Sequence, residues 1–162
     1  MTRSKKYWLM KSEPGAFSID DLAASSDRTT SWDGVRNYQA RNYMREMVVG
    51  DLVLFYHSNA DPPAVVGIAE VVRTAYADDS QFDKSDSHYD PASKKENPRW
   101  DMVDIRHRET FPVPVALESL RNEPQLKKMV LLRKGSRLSV QPVTASEWAV
   151  VLRMARRGNK VR

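Results

Sequence analysis

The sequence predicts an α+β fold: a mixed, mostly antiparallel, barrel-like β-sheet with helices gathered outside it. Three observations carry that expectation. Branched and aromatic runs are joined by tight turns, capped amphipathic segments lie near both ends, and the 162 residues are 41% hydrophobic. A chain of that size forms one core and buries roughly two-thirds of its unfolded surface.

The opening run Tyr7-Trp8-Leu9-Met10 is apolar and ends at Pro14-Gly15, which reads as a buried strand and a turn. Ser18 suits an N-cap with Asp21 three residues on, and Phe17 and Leu22 hold the two positions of a hydrophobic staple. A short helix over 19–24 follows. The polar stretch 27–32 reads as a loop. Asn37 then caps a second helix reaching Met47, with Tyr43, Met44, Met47 and Val48 toward the core. Arg41 and Arg45 share its other side, a pattern that fits a solvated face or a polyanion contact.

Residues 51–57 and 64–76 are β-rich runs on either side of a proline turn, so they read as a hairpin. Gly67 marks a bulge or a close backbone approach within it. The polar segment 78–99 is long for a connection in a small domain, which points to a functional or disordered loop. Its aspartates lack the glycine and distal glutamate of a calcium loop. Alternation resumes over 102–113 as a half-exposed strand, followed by short helices at 116–121 and 124–129 and a last strand over 137–143. Thr144-Ala145-Ser146-Glu147 is a capping box, and Trp148, Val151, Leu152 and Ala155 form an i, i+3, i+4, i+7 stripe. Arg156-Arg157-Gly158 is the expected end of that helix. One domain over 1–156 with a basic tail at 157–162 is the resulting organisation.

The absence of cysteine excludes disulfides, thiolate metal sites and cysteine nucleophiles. There is no Walker loop, G-x-S-x-G, G-x-G-x-x-G or H-E-x-x-H, and His57, His88 and His107 are scattered. His57 closes a strand-like run, where a hydrogen-bonded edge histidine and a pocket role are both open. Apolar runs fall well short of the ~20 residues that cross a bilayer, and the basic start runs straight into a strand-like segment without a signal-peptide core. We therefore expect no metal, no cofactor and no membrane partner, in a reducing, cytoplasmic-type compartment, or a nucleus if the source is eukaryotic; the sequence leaves the oligomeric state open, with a monomer the favoured expectation.

Charge is polarised. Residues 1–120 carry 15 Lys/Arg against 19 Asp/Glu, whereas residues 121–162 carry 11 against 2. A one-sided positive field favours a polyanion such as nucleic acid, although basic tails also solubilise. Residues 7–58 are dense in aromatic, amide and guanidinium groups, which stack on bases, pair with base edges and fork onto phosphates. Tyr7, Tyr43 and Tyr56 fit an ordinary core, whereas Trp32, beside a glycine in a polar loop, suits ligand stacking or core anchoring equally.

Three blocks, Tyr7 to Pro14, Trp32 to Asn42, and Gly50-Asp51 with Phe55 to Ser58, resemble the EVE domain family. The resemblance continues through Pro98-Arg99-Trp100, Val103-Asp104 and Arg137 to Val143. It implies a PUA-like fold, kinship with YTH domains, and a non-catalytic reader of modified bases in DNA or RNA, with 5-methylcytosine-type ligands. Carried onto this chain, Trp32 would stack on an extruded base, Ser12 and Asp33 would bond its polar edge, and Glu13 or Asn37 would reinforce that edge. Lys11, Arg36, Arg41 and Arg45 would hold flanking phosphates, and His57, Ser58, Trp100 and the 139–142 segment would complete the walls. The competing readings are a general RNA-binding domain driven by the basic C-terminal third, and a small hydrolase using Lys11, Glu13 and Asp33.

Overall fold

A computed structural model describes residues 4–160, with side chains for 4–157. Six strands form one sheet in the order β2-β5-β4-β3-β1-β6, where β1 is Tyr7–Ser12, β2 Thr29–Ser31, β3 Leu52–His57, β4 Ala64–Ala77, β5 Asp101–Ala116 and β6 Val140–Val143. Only the β1–β3 pair is parallel; every other neighbour runs antiparallel. The sheet is mixed and mostly antiparallel as expected, but it stays open, so the expected barrel is a loose one. Its edge strands, β2 and β6, have three and four residues and do not pair with each other. Four register shifts between β4 and β5 bend the long pair locally instead of closing the sheet.

Helices cover both faces, and that explains why β1 is continuously apolar rather than alternating. Trp8 and Met10 enter a core beneath α1 (Ile19–Ala24) and α2 (Tyr38–Glu46), while Leu9 enters a second core beneath α3 (Leu117–Arg121) and α4 (Ala145–Lys160). Tyr7 stacks on Trp148 with ring centroids 4.6 Å apart, tying β1 to α4.

The capping signals act as the local chemistry requires. Ser18 and Asp21 exchange both capping-box bonds, and Thr144 and Glu147 do the same at the start of α4. The Asn37 side chain accepts from the Ala40 N–H at 2.9 Å and so starts α2. Val48 lies beyond the end of α2 and is exposed, not in the core, because the chain has already turned toward Gly50. The α4 backbone runs through Gly158 to Lys160, past its expected end; one glycine costs about 1 kcal/mol relative to alanine, which a long helix tolerates. Residues 161–162 of the expected tail lie outside the described residues.

The segment expected as a loop at 27–32 instead contains β2, three residues paired with β5. The helix expected over 124–129 contracts to a 3-10 turn at Pro124–Leu126, and the strand expected from 137 begins at Val140. Gly67 is a close approach as well as a register shift: a Cβ there would overlap the Ile19 side chain and the Glu109 carbonyl. Among the described residues no helix is long and apolar enough to cross a membrane.

Candidate functional site

A cavity of about 320 Å³ opens where the end of β1, the turn after it, and the segment following β2 converge. Lys11 and Ser12 come from β1, Glu13, Ala16 and Phe17 from the turn, Thr30 and Ser31 from β2, and Trp32 to Arg36 form the facing wall, with Ser139 closing one side. The turn is set by the Ala16 and Phe17 N–H groups, which both donate to the Glu13 carbonyl at 2.9 Å. The Ser12 hydroxyl donates to the Phe17 carbonyl at 2.6 Å, leaving its oxygen available as an acceptor.

The Trp32 N–H extends the β2–β5 pairing by donating to the Val103 carbonyl at 2.7 Å. Its indole is 9% exposed and packs edge-on against Phe55, with centroids 5.6 Å apart. It is therefore both core anchor and cavity wall. Trp8 and Trp100 each place the indole N–H on a carboxylate, Asp51 at 3.0 Å and Asp90 at 2.7 Å. The Trp32 indole N–H has no such partner among the described residues.

Behind that wall stands Asp78, a buried carboxylate at the end of β4. It accepts from the Gly34 N–H at 2.8 Å, from Arg36 at 3.1 Å and from Ser80, and so fixes residues 34–36 against the 78–99 loop. Burial on its own raises the Asp78 carboxyl, but the bonds from Ser80, Gly34 and Arg36 prevail and hold it below its ordinary value. Gly34 has φ +78° and abuts His88, so no larger residue fits there without strain. Asp33, in the cavity, is pushed up, first by burial and then by the field of Asp78, with His88 opposing. Burial lowers the Lys11 ammonium. The 78–99 loop is ordered by buried Gln81, whose amide donates to the Asp78 and Trp100 carbonyls and accepts from Ser93 and the Trp100 N–H.

Of the expected site residues, Lys11, Ser12, Glu13, Trp32, Asp33 and Arg36 meet at the cavity. Asn37, His57, Ser58 and Trp100 lie outside its lining. Asn37 spends its carbonyl oxygen on the α2 cap. His57 accepts the Ile19 N–H at 3.1 Å on Nε2, a bond that needs the neutral ring, and burial lowers its pKa to favour that form. The Ser58 N–H donates to the Ser12 carbonyl. Trp100 is sealed beneath Tyr38, with centroids 4.7 Å apart. The arginines are also engaged within the fold: Arg36 pairs with Asp78, Arg45 with Asp101 at 2.6 Å, and Arg41 stacks on Tyr38 while donating to the Arg99 carbonyl. They pin α2 and the wall to the 78–101 region. Sequence reasoning missed Thr30, Ser31 and Asp78; the adjacent threonines of β2 were the one signal, and nothing local marks Asp78. Among the described residues, no His, Asp and Glu side chains gather as a metal-binding group.

One open, mostly antiparallel sheet with helices on both faces and a cavity at one end is an α+β domain of the class that the sequence predicts. The EVE domain family model matches residues 6–154, and the chain belongs to that family. It is 48% identical to thymocyte nuclear protein 1 of Danio rerio, covering 90% of this chain and 70% of that protein. A structure of a hypothetical protein from Leishmania major superposes with a TM-score of 0.91 and 51% identity, covering 96% and 98% of the two chains. A crystal structure of human THYN1 in complex with DNA containing 5-methylcytosine superposes with a TM-score of 0.88 and 43% identity, covering 93% and 98%.

Proposed function

We propose that this chain is a non-catalytic DNA-binding module that receives an extruded base of the 5-methylcytosine type in the cavity beside Trp32. The observation that carries the reading is the combination in one cavity of an indole wall, polar acceptors and a small apolar surface. The Trp32 ring supplies stacking surface. The Ser12 oxygen and the Asp33 carboxylate accept from an exocyclic amino group, and Ala16, Phe17 and Val35 offer apolar contact to a ring methyl. Glu13 reinforces the polar edge, and Lys11 lies where strand phosphates flank the base. The complex of human THYN1 with 5-methylcytosine-containing DNA supports the ligand class. A compartment that holds nucleic acid, the nucleus in a eukaryote, accords with this role.

A hydrolase reading draws on Lys11, Glu13 and Asp33 around the same cavity, with Asp33 pushed up. It gains no support from Ser12, whose hydroxyl donates to a backbone carbonyl rather than to a base that could activate it.

Fluorescence anisotropy with labelled DNA duplexes, one carrying a single 5-methylcytosine and one unmethylated, tests the reading. Tighter binding of the methylated duplex is expected, retained in part by Trp32→Phe and lost in Trp32→Ala. Equal affinity for both duplexes rejects it, as does turnover of a methylated nucleoside by the purified protein.

A further inference from the structure

A second cavity of about 480 Å³ lies against the first. The two share Lys11, and the segment 133–139 runs from one to the other, with Ser136 lining the second and Ser139 the first. The Lys11 N–H donates to the Ser139 carbonyl at 2.8 Å, which fixes that junction. Lys11, Arg121, Arg133 and Lys134 line the second cavity, and no carboxylate does. These side chains make no ion pair among the described residues, in contrast to Arg36 and Arg45. We propose that this second cavity is a phosphodiester site, in which Lys11, Arg121, Arg133 and Lys134 hold the backbone of the strand whose base enters beside Trp32. The proposal rests on the base-reading function above.

The loop that carries two of the cations is built, not loose. The Arg133 and Ser136 N–H groups close successive turns onto the Val130 and Arg133 carbonyls, and Gly135 supplies the positive φ of +74° that the loop requires. Beneath it, Gln141 donates to the Leu138 carbonyl at 2.8 Å. Arg121, at the end of α3, faces Tyr56 across the cavity: burial raises the phenol, and the Arg121 charge pulls it back. The arrangement also gives the basic excess of residues 121–162 a place on the surface. Cations held apart from acidic partners release counterions when they meet a polyanion, the physical source of salt-dependent affinity.

The test compares the triple variant Arg121→Gln/Arg133→Gln/Lys134→Gln with a triple of equal charge loss elsewhere, Lys84→Gln/Lys94→Gln/Lys127→Gln, after thermal melts confirm that both fold. The probes are a short single-stranded DNA with one 5-methylcytosine, its unmethylated counterpart, and 5-methyl-2′-deoxycytidine monophosphate. The cavity triple should lose about tenfold or more in affinity for the DNA and flatten the log–log salt slope by about two, with the methylated-to-unmethylated ratio and mononucleotide binding unchanged. Behaviour equal to that of the control triple overturns the phosphodiester site. So does an equal loss for the mononucleotide, which would place the ligand's own phosphate there instead of the neighbouring backbone. A wild-type ratio of unity with the slope loss intact would reject base reading and still support the phosphate site.

Discussion

Trp32 and Trp100 are both nearly buried, both follow polar segments, and both begin stretches that pair with or lead into β5, yet their surroundings differ. Trp100 is closed on every side that matters: Tyr38 stacks on it, Asp90 takes its indole N–H and Gln81 holds its backbone. Trp32 is held by its backbone and by the edge of Phe55, while its indole N–H has no hydrogen-bond partner among the described residues and the ring borders the cavity. Nearly equal exposure thus hides a difference in what each ring has left to offer, which is the ground for proposing Trp32 and not Trp100 as a stacking surface. What separates them is whether the polar atom of the ring has already been satisfied.

The sharpest way to break that comparison is Trp100→Ala, which should cost about 3–5 kcal/mol of stability, read by denaturant unfolding. The protein that remains folded should keep its preference for a methylated base; loss of that preference would mean the two tryptophans are not distinct in role. Trp32→Ala should show the reverse emphasis. Stacking is worth about 1–3 kcal/mol per base, so affinity for the methylated duplex should fall about five- to 150-fold in an anisotropy titration.

Asp78→Asn probes the strut behind the Trp32 wall. Weakening the acceptor of Arg36, Gly34 and Ser80 should cost about 1–3 kcal/mol. Because the Asp78 carboxyl is held below the unfolded value of ~3.9, its contribution is complete above that pH and drains away as pH falls through the folded value. Acid titrations of stability should therefore show a shallower acid limb in the variant than in the parent. The smallest effect is expected from Asp33→Asn. Asp33 retains its proton to higher pH than an ordinary aspartate, so an ionised Asp33 acceptor implies affinity that declines as pH drops through that raised value. The difference between parent and variant should vanish at low pH; a parallel decline in both would show that Asp33 does not touch the base.

Much of the fold is legible in the sequence. The capping boxes at Ser18 and Thr144 are short-range rules, and both hold; the glycine signal at 67 also marks a close approach, although the atoms it meets lie more than forty residues away. Residues 11–13 and 32–36, distant in sequence, line one cavity. What stayed hidden is long-range. Arg45 meets Asp101 and Arg36 meets Asp78 across more than forty residues, so basic side chains that read as free phosphate ligands turn out to be engaged within the fold. Asn37 reads as a cap and as a base contact, and one carbonyl oxygen serves the cap. The strand β2 is too short for periodicity, and an open edge cannot be told from a closed one when the strands that would decide it have three and four residues.

Gly67 links the sheet to the cavity. Because the backbone there admits no side chain, α1 rests directly on the sheet through Ile19, and the turn that floors the cavity is suspended just before that helix. A single missing methyl group thus sets how closely α1 seats on the sheet: adding it would act like a shim beneath Ile19 and disturb the Glu13–Phe17 turn that borders the cavity.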